Sequence, residues 1–140
     1  MRVEPVGGDE LATLAVVDFL VAQAERIAVV PVHMPRALRN LWDTILNGVV
    51  YAAIDDGKVI GSLGLNKSPL TWYCHESETC YVDEWLVAEE GGGIALLKAA
   101  AADLAPARIL VRRVRWGKEI SGDILGANVV GVVGRILEVG

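Results

Sequence analysis

Hydrophobic and polar positions change period several times along the chain, and each change marks an element. Met1–Val6 alternates weakly and predicts a short strand, which Gly7-Gly8 breaks. Asp9 stands where an N-cap accepts hydrogen bonds from free backbone N–H groups, and Leu11, Leu14, Ala15 and further apolar residues to about Ala24 predict a helix. Pro35 suits the first turn of a second helix, where its missing N–H costs nothing. Leu38, Leu41, Trp42 and Ile45 recur at i, i+3, i+4 and i+7, one buried face that runs up to Asn47-Gly48. Val49–Asp55 and Lys58–Leu65 read as strands joined at Asp56-Gly57, a pair that supplies the positive φ angles of a tight hairpin. The polar and aromatic stretch Asn66–Thr79 reads as a loop. Cys80–Val87 is the next strand, followed by Gly91-Gly92-Gly93 and a helix with Ile94, Leu97, Ala101 and Leu104 as its buried stripe, ended by Pro106. Ala107–Trp116 predicts a further strand, and Val129–Val139 a last strand or hairpin.

Composition narrows the class. At 140 residues, 53% apolar and 22% charged, residues 1–140 read as a single domain able to bury its own core. Uncharged runs reach only 11 residues (Thr44–Ile54 and Ile124–Gly134), short of the roughly 20 that cross a bilayer. Glu4, Asp9 and Glu10 precede any apolar run, unlike a secretory leader, so the expected location is cytoplasmic. Cys74 and Cys80 lack C-x-x-C spacing, and Cys74, His75 and Cys80 would need a fourth ligand to hold zinc when the other histidine is His33. Free thiols and no metal are expected.

Charge is unevenly placed. The net charge of −5 conceals five basic residues between Arg108 and Lys118, leaving 8 basic against 18 acidic groups elsewhere. Such a strip suits a small anionic ligand or an acidic partner better than nucleic acid, or else protects an edge strand from aggregation.

The strand, glycine turn and helix around Gly91-Gly92-Gly93 carry the chemistry. The first N–H groups of a helix have no internal partner, aligned peptide dipoles place positive charge there, and glycines let the backbone approach an anion closely. A dinucleotide fingerprint would need a third glycine where Leu96 stands.

The element order from residue 1 to about 116 resembles the GNAT superfamily of acyl-CoA N-acyltransferases: strand, one or two helices, hairpin, fourth strand, pyrophosphate loop, helix and fifth strand. Glu90-Gly91-Gly92-Gly93-Ile94-Ala95 is similar to that family's loop, Q/R-x-x-G-x-G/A, with Glu90 in the first position. Glu84-Trp85-Leu86-Val87 has the form of its acid, two residues and valine. Asp56-Gly57-Lys58-Val59-Ile60-Gly61 looks like the turn of its second and third strands, and Ser68-Pro69-Leu70-Thr71-Trp72-Tyr73 is similar to small phage-type members. The resemblance implies an α/β fold with a central, mixed but mostly antiparallel twisted sheet of about six to seven strands flanked by helices.

It further implies transfer of an acetyl group from acetyl-CoA, or another acyl group from its CoA thioester, to an amine by direct attack. Amines titrate near ~10.4, so a base must help at neutral pH, and Glu84 is the candidate, acting directly or through water. Backbone N–H groups near Leu86 and Val87 would polarise the carbonyl. The pyrophosphate would sit over Gly91, Gly92, Gly93, Ile94 and Ala95, within reach of Arg112, Arg113, Arg115 or Lys118. Trp72, Tyr73, His75 and Glu78 would border the acceptor, a small amine or lysine-bearing molecule that the acidic surface favours as a cation; a homodimer is plausible, with no nucleic acid or membrane partner.

Glu90 is repulsive toward a pyrophosphate, the loop after Val87 is about two residues shorter than the family's and lacks its proline, and no tyrosine follows Tyr81 to serve as the acid for the leaving thiolate. These departures admit an alternative, a non-catalytic binding or structural module of the same fold, such as a component of a phage virion.

Overall fold

In a computed structural model of the chain, which describes residues 1–7, 10–27, 33–67, 79–89 and 91–111, the hairpin organises the sheet. Its strands are β2 (Gly48–Asp55) and β3 (Lys58–Lys67). Asp56 and Gly57 both take positive φ, +50° and +73°, so the turn twists with the strands it joins. On one side β1 (Arg2–Val6) pairs antiparallel with β2; on the other β4 (Cys80–Ala88) pairs antiparallel with β3. The short β5 (Arg108–Leu110) then lies parallel to β4, giving the order β1-β2-β3-β4-β5. The sheet is thus mixed and mostly antiparallel, with five strands among the described residues. Residues 112–116 of the expected fifth strand, and the last strand expected at Val129–Val139, lie outside those residues, as does Asp9.

Strand alternation divides the core into two layers. Tyr51 and Ala53 of β2 join Leu63 and Leu65 of β3 under helix α3 (Gly92–Leu104), against Leu96, Leu97 and Ala100. Val50 and Ala52 point the other way and pack with Val6, Trp85, Val16 of α1 (Glu10–Ile27) and Leu41 of α2 (Met34–Asn47). Helix α2 starts as a proline-containing first turn should: Pro35 gives up no hydrogen bond, and the Arg36 N–H donates to Nδ1 of His33, 3.3 Å away. It stops at Gly48, whose N–H donates to the Thr44 carbonyl.

Two expected helix faces are corrected. In α2 the residues against the sheet are Leu41 and Thr44, with Ile45 packed at the margin, whereas Trp42 is 43% exposed. Thr44 satisfies its hydroxyl by donating to the Asn40 carbonyl, so a polar residue serves in the face and the tryptophan is turned off it. In α3 the stripe is Gly92, Leu96, Leu97 and Ala100, with Leu104 packed beside it; Ile94 is 43% exposed and Ala101 only half-buried. Gly92 sets this rotation, because its missing Cβ lets the helix seat on Ala88, where an added Cβ would lie 3.2 Å from the alanine's own. Among the described residues no helix is long and apolar enough to cross a membrane.

Candidate functional site

The site begins with an irregularity in β4. Register places Gly64 opposite Trp85 but Leu65 opposite Asp83, so Glu84 is an extra residue in β4, a β-bulge. Asp83 pairs with Leu65 on the α3 face and is only 2% exposed. Below the bulge Tyr81 and Asp83 lie on the α3 face, above it Trp85 and Val87 lie on the α1/α2 face, and half-buried Glu84 stands where the faces switch.

Trp85 explains why the bulge sits there. Its indole lies across Gly64, where an added Cβ would come within 2.5 Å of the ring. The indole N–H donates to the Ser62 hydroxyl at 3.0 Å, and that hydroxyl donates to the Tyr51 carbonyl at 3.0 Å. All three residues are buried, so this short chain of hydrogen bonds ties the bulge to the middle of the sheet without an unmet polar atom.

The bulge also sets which way the following amides face. Glu89 donates its N–H to Ile60 of β3 at 2.8 Å, so residues of the same parity, Val87 and Trp85, direct their amides toward β3. Leu86 and Ala88 direct theirs to the opposite edge. Of the two amides expected to polarise a carbonyl, Leu86 lies on that edge; Val87 faces its neighbour strand, and Ala88 takes the second outward position. On this edge the pairing of β4 with β5 covers Cys80–Val82 against Arg108–Leu110, with Arg108 N–H donating to Thr79 at 2.9 Å. The strands pair below the bulge, and the outward amides of Leu86 and Ala88 lie beyond that paired stretch.

Next along the chain is the glycine turn. Gly91 is the N-cap of α3 in the left-handed region, φ +83°, with no side-chain cap. The Gly92 N–H donates to the Glu89 carbonyl at 2.9 Å, closing the turn, and Ala95 makes the first intrahelical bond, to Gly91 at 3.5 Å. The amides of Gly93 and Ile94 have no acceptor within the helix. A Cβ at Gly93 would meet nothing nearer than 4.0 Å, and the Ile94 side chain is exposed, so the approach to the helix start is sterically clear among the described residues. Backbone donors at a helix N-terminus, framed by glycine, fit a diphosphate.

On the other face α1, α2 and β4 enclose a cavity of about 300 Å³, floored by Trp85 and Val87. The structure thus assembles Glu84, Leu86 and Gly91–Ala95 along one strand and the turn that follows it. Glu90, Trp72, Tyr73, His75, Glu78 and the basic residues Arg112, Arg113, Arg115 and Lys118 lie outside the described residues. Ser62, Gly64, Trp85 and Ala88 were missed from sequence; glycine within the strand-like run of β3 is the signal that marks a close approach there.

No protein-family model matches this sequence, and neither does any curated protein. Solved structures do. A probable acetyltransferase is 17% identical with a TM-score of 0.62, covering 100% of this chain and 99% of its own. AAC(6')-Iy, in complex with the bisubstrate analogue CoA-S-monomethyl-acetylneamine, is 12% identical with a TM-score of 0.62 and full coverage of both chains, 100% and 100%. Ribosomal-protein-alanine N-acetyltransferase from Brucella melitensis biovar Abortus 2308 is 11% identical, TM-score 0.57, covering 99% of each chain. At such identities the likeness concerns the fold, which this chain shares with GNAT-type acetyltransferases.

Proposed function

We propose that this protein transfers an acetyl group from acetyl-CoA to a primary amine. The carrying observation is the bulge at Glu84, which sets a half-buried carboxylate where the faces of β4 switch and the outward amides of Leu86 and Ala88 on its edge, two residues or so before the glycine turn. In this reading the pantetheine arm lies along that edge and the diphosphate over Gly91, Gly92, Gly93, Ile94 and Ala95. The shared fold with enzymes of this chemistry, one of them bound to an analogue joining CoA to an acceptor, supports it.

The chemistry follows from those groups. An amine is protonated at neutral pH, so Glu84 removes its proton, directly or through one water. The freed lone pair attacks the thioester carbonyl, and negative charge grows on its oxygen, where the Leu86 N–H donates. The C–N bond forms, the C–S bond breaks, and the second nitrogen proton passes through water to the leaving thiolate. A thiol of pKa near ~8.5 is a tolerable leaving group whose proton can come from water, so a tyrosine acid is not required.

Two measurements test the reading together. Acetyl-CoA at millimolar concentration raises the melting temperature, following RT ln(1 + [L]/Kd), and amine-dependent release of CoA thiol is observed. Glu84→Gln keeps the stabilisation and loses turnover on the order of 100-fold or more. Absence of both stabilisation and thiol release would leave a non-catalytic module of this fold, whereas unchanged turnover in Glu84→Gln removes Glu84 as the base.

A further inference from the structure

The cavity between α1, α2 and β4 differs in chemistry from the charged surface beside it, where Arg36, Arg39 and Asp43 of α2 are exposed. Its walls are Val17 and Leu20 from α1 and Leu38 and Leu41 from α2, and its floor is Trp85 and Val87. Asn40 is its polar lining residue, and among the described residues no Asp, Glu, Lys or Arg lines it. The floor residues flank Leu86, and Trp85 directly follows Glu84 in the strand. Successive strand residues rise about 3.3 Å, so a group resting on Trp85 lies within a few ångströms of the carboxylate-bearing residue.

We infer that the acceptor is a primary amine attached to a compact apolar body, one aromatic ring or a short branched alkyl chain, which seats in this cavity with its nitrogen toward Glu84. The inference rests on the acetyl-transfer reading and narrows its substrate. A volume of about 300 Å³ accommodates such a body but stands at the small end of ligand pockets. A polyamine or amino sugar would bring further ammonium groups against apolar walls, where a buried charge needs a partner and none of the described lining residues supplies one. One ammonium, by contrast, needs one carboxylate, and Glu84, next in the strand to the floor residue Trp85, supplies it and takes the proton.

The test compares 2-phenylethylamine, 3-methylbutylamine, spermidine and a lysine-bearing peptide as acceptors in the thiol-release assay. A preference of thirtyfold or more in kcat/KM for the two apolar amines is expected. Leu38→Gln, a substitution on a half-buried helical position, and Ala37→Leu, which fills the cavity from α2, should each reduce that preference below threefold while acetyl-CoA still stabilises the variant. Preference for spermidine or the peptide, or apolar amines whose KM ignores both substitutions, overturns the inference. Calorimetric titration with 2-phenylethylamine separates the two readings. Binding that Leu38→Gln weakens tenfold or more, in a protein that releases no thiol with any amine, would keep the apolar site and remove the transferase; thiol release without such binding would do the reverse.

Discussion

Trp85 and Gly64 hold each other in place, and Glu84 depends on both. Because an added Cβ at Gly64 would lie 2.5 Å from the indole, Gly64→Ala must push Trp85 off the sheet and disturb its bond to Ser62. Overpacking of this kind costs about 1–3 kcal/mol, read as a lower urea midpoint. Ser62→Ala acts differently: it leaves the cavity floor in shape but strands the buried indole N–H and one lone pair of the Tyr51 carbonyl, a loss of about 1–3 kcal/mol. Combining Ser62→Ala with Trp85→Phe removes both partners, so the pair should cost less than the sum of the single changes, a coupling that a double-mutant cycle of urea midpoints measures. If the energies simply add, the hydrogen bond is not what fixes the bulge.

At the scale of elements, α3 starts on a backbone that suits glycine alone. Gly91 has φ +83°, a conformation in which an L side chain is strained by about 1–2 kcal/mol. Gly91→Ala therefore lowers the melting temperature of the free protein, and because relief of that strain turns the Gly93 and Ile94 amides, it also shrinks the stabilisation that acetyl-CoA provides. A variant that loses melting temperature yet keeps the full ligand shift would place the diphosphate elsewhere. Elements of this kind were legible where local residues dictate the geometry: Asp56-Gly57 can hardly be anything but a turn, and Gly91-Gly92-Gly93 announces a helix start. Features fixed by contacts distant in sequence were not. The rotation of α3 is set by Gly92 meeting Ala88 and Ile60, which no helical period encodes, and so the period points to Ile94 where the structure buries Leu96. Likewise the bulge is a property of register between β3 and β4, invisible in either strand alone, and with it went the exchange of Val87 for Ala88 among the outward amides. Glu84 itself could be singled out from its neighbours in sequence; the switch of faces that it marks could not.

For the molecule as a whole, the sheet is fastened to α3 by a bond that titrates. The Tyr51 hydroxyl donates to Oδ2 of Asp103 at 2.6 Å, reaching from the centre of β2 to the last turn of α3. Burial, and then the hydrogen bond and charge of Asp103, push the phenol well above its ordinary value of 10.0. Its protonated form is thus favoured in the folded chain more than in the unfolded one. The sign follows: the stabilisation is fully present below pH 10 and is lost as pH rises from there, because the unfolded chain releases the proton first. Each pH unit in that window removes up to about 1.4 kcal/mol. Tyr51→Phe should cost only about 1 kcal/mol at pH 7, since Asp103 is exposed and water replaces the lost donor. Between pH 10 and 11.5 the variant loses stability less steeply than the parent. Every other group is common to both proteins, so the difference between the two urea-midpoint curves isolates this one phenol. Parallel curves would mean that Tyr51 ionises in the folded protein as freely as in the unfolded chain, and that its bond to Asp103 does not fasten α3 to the sheet.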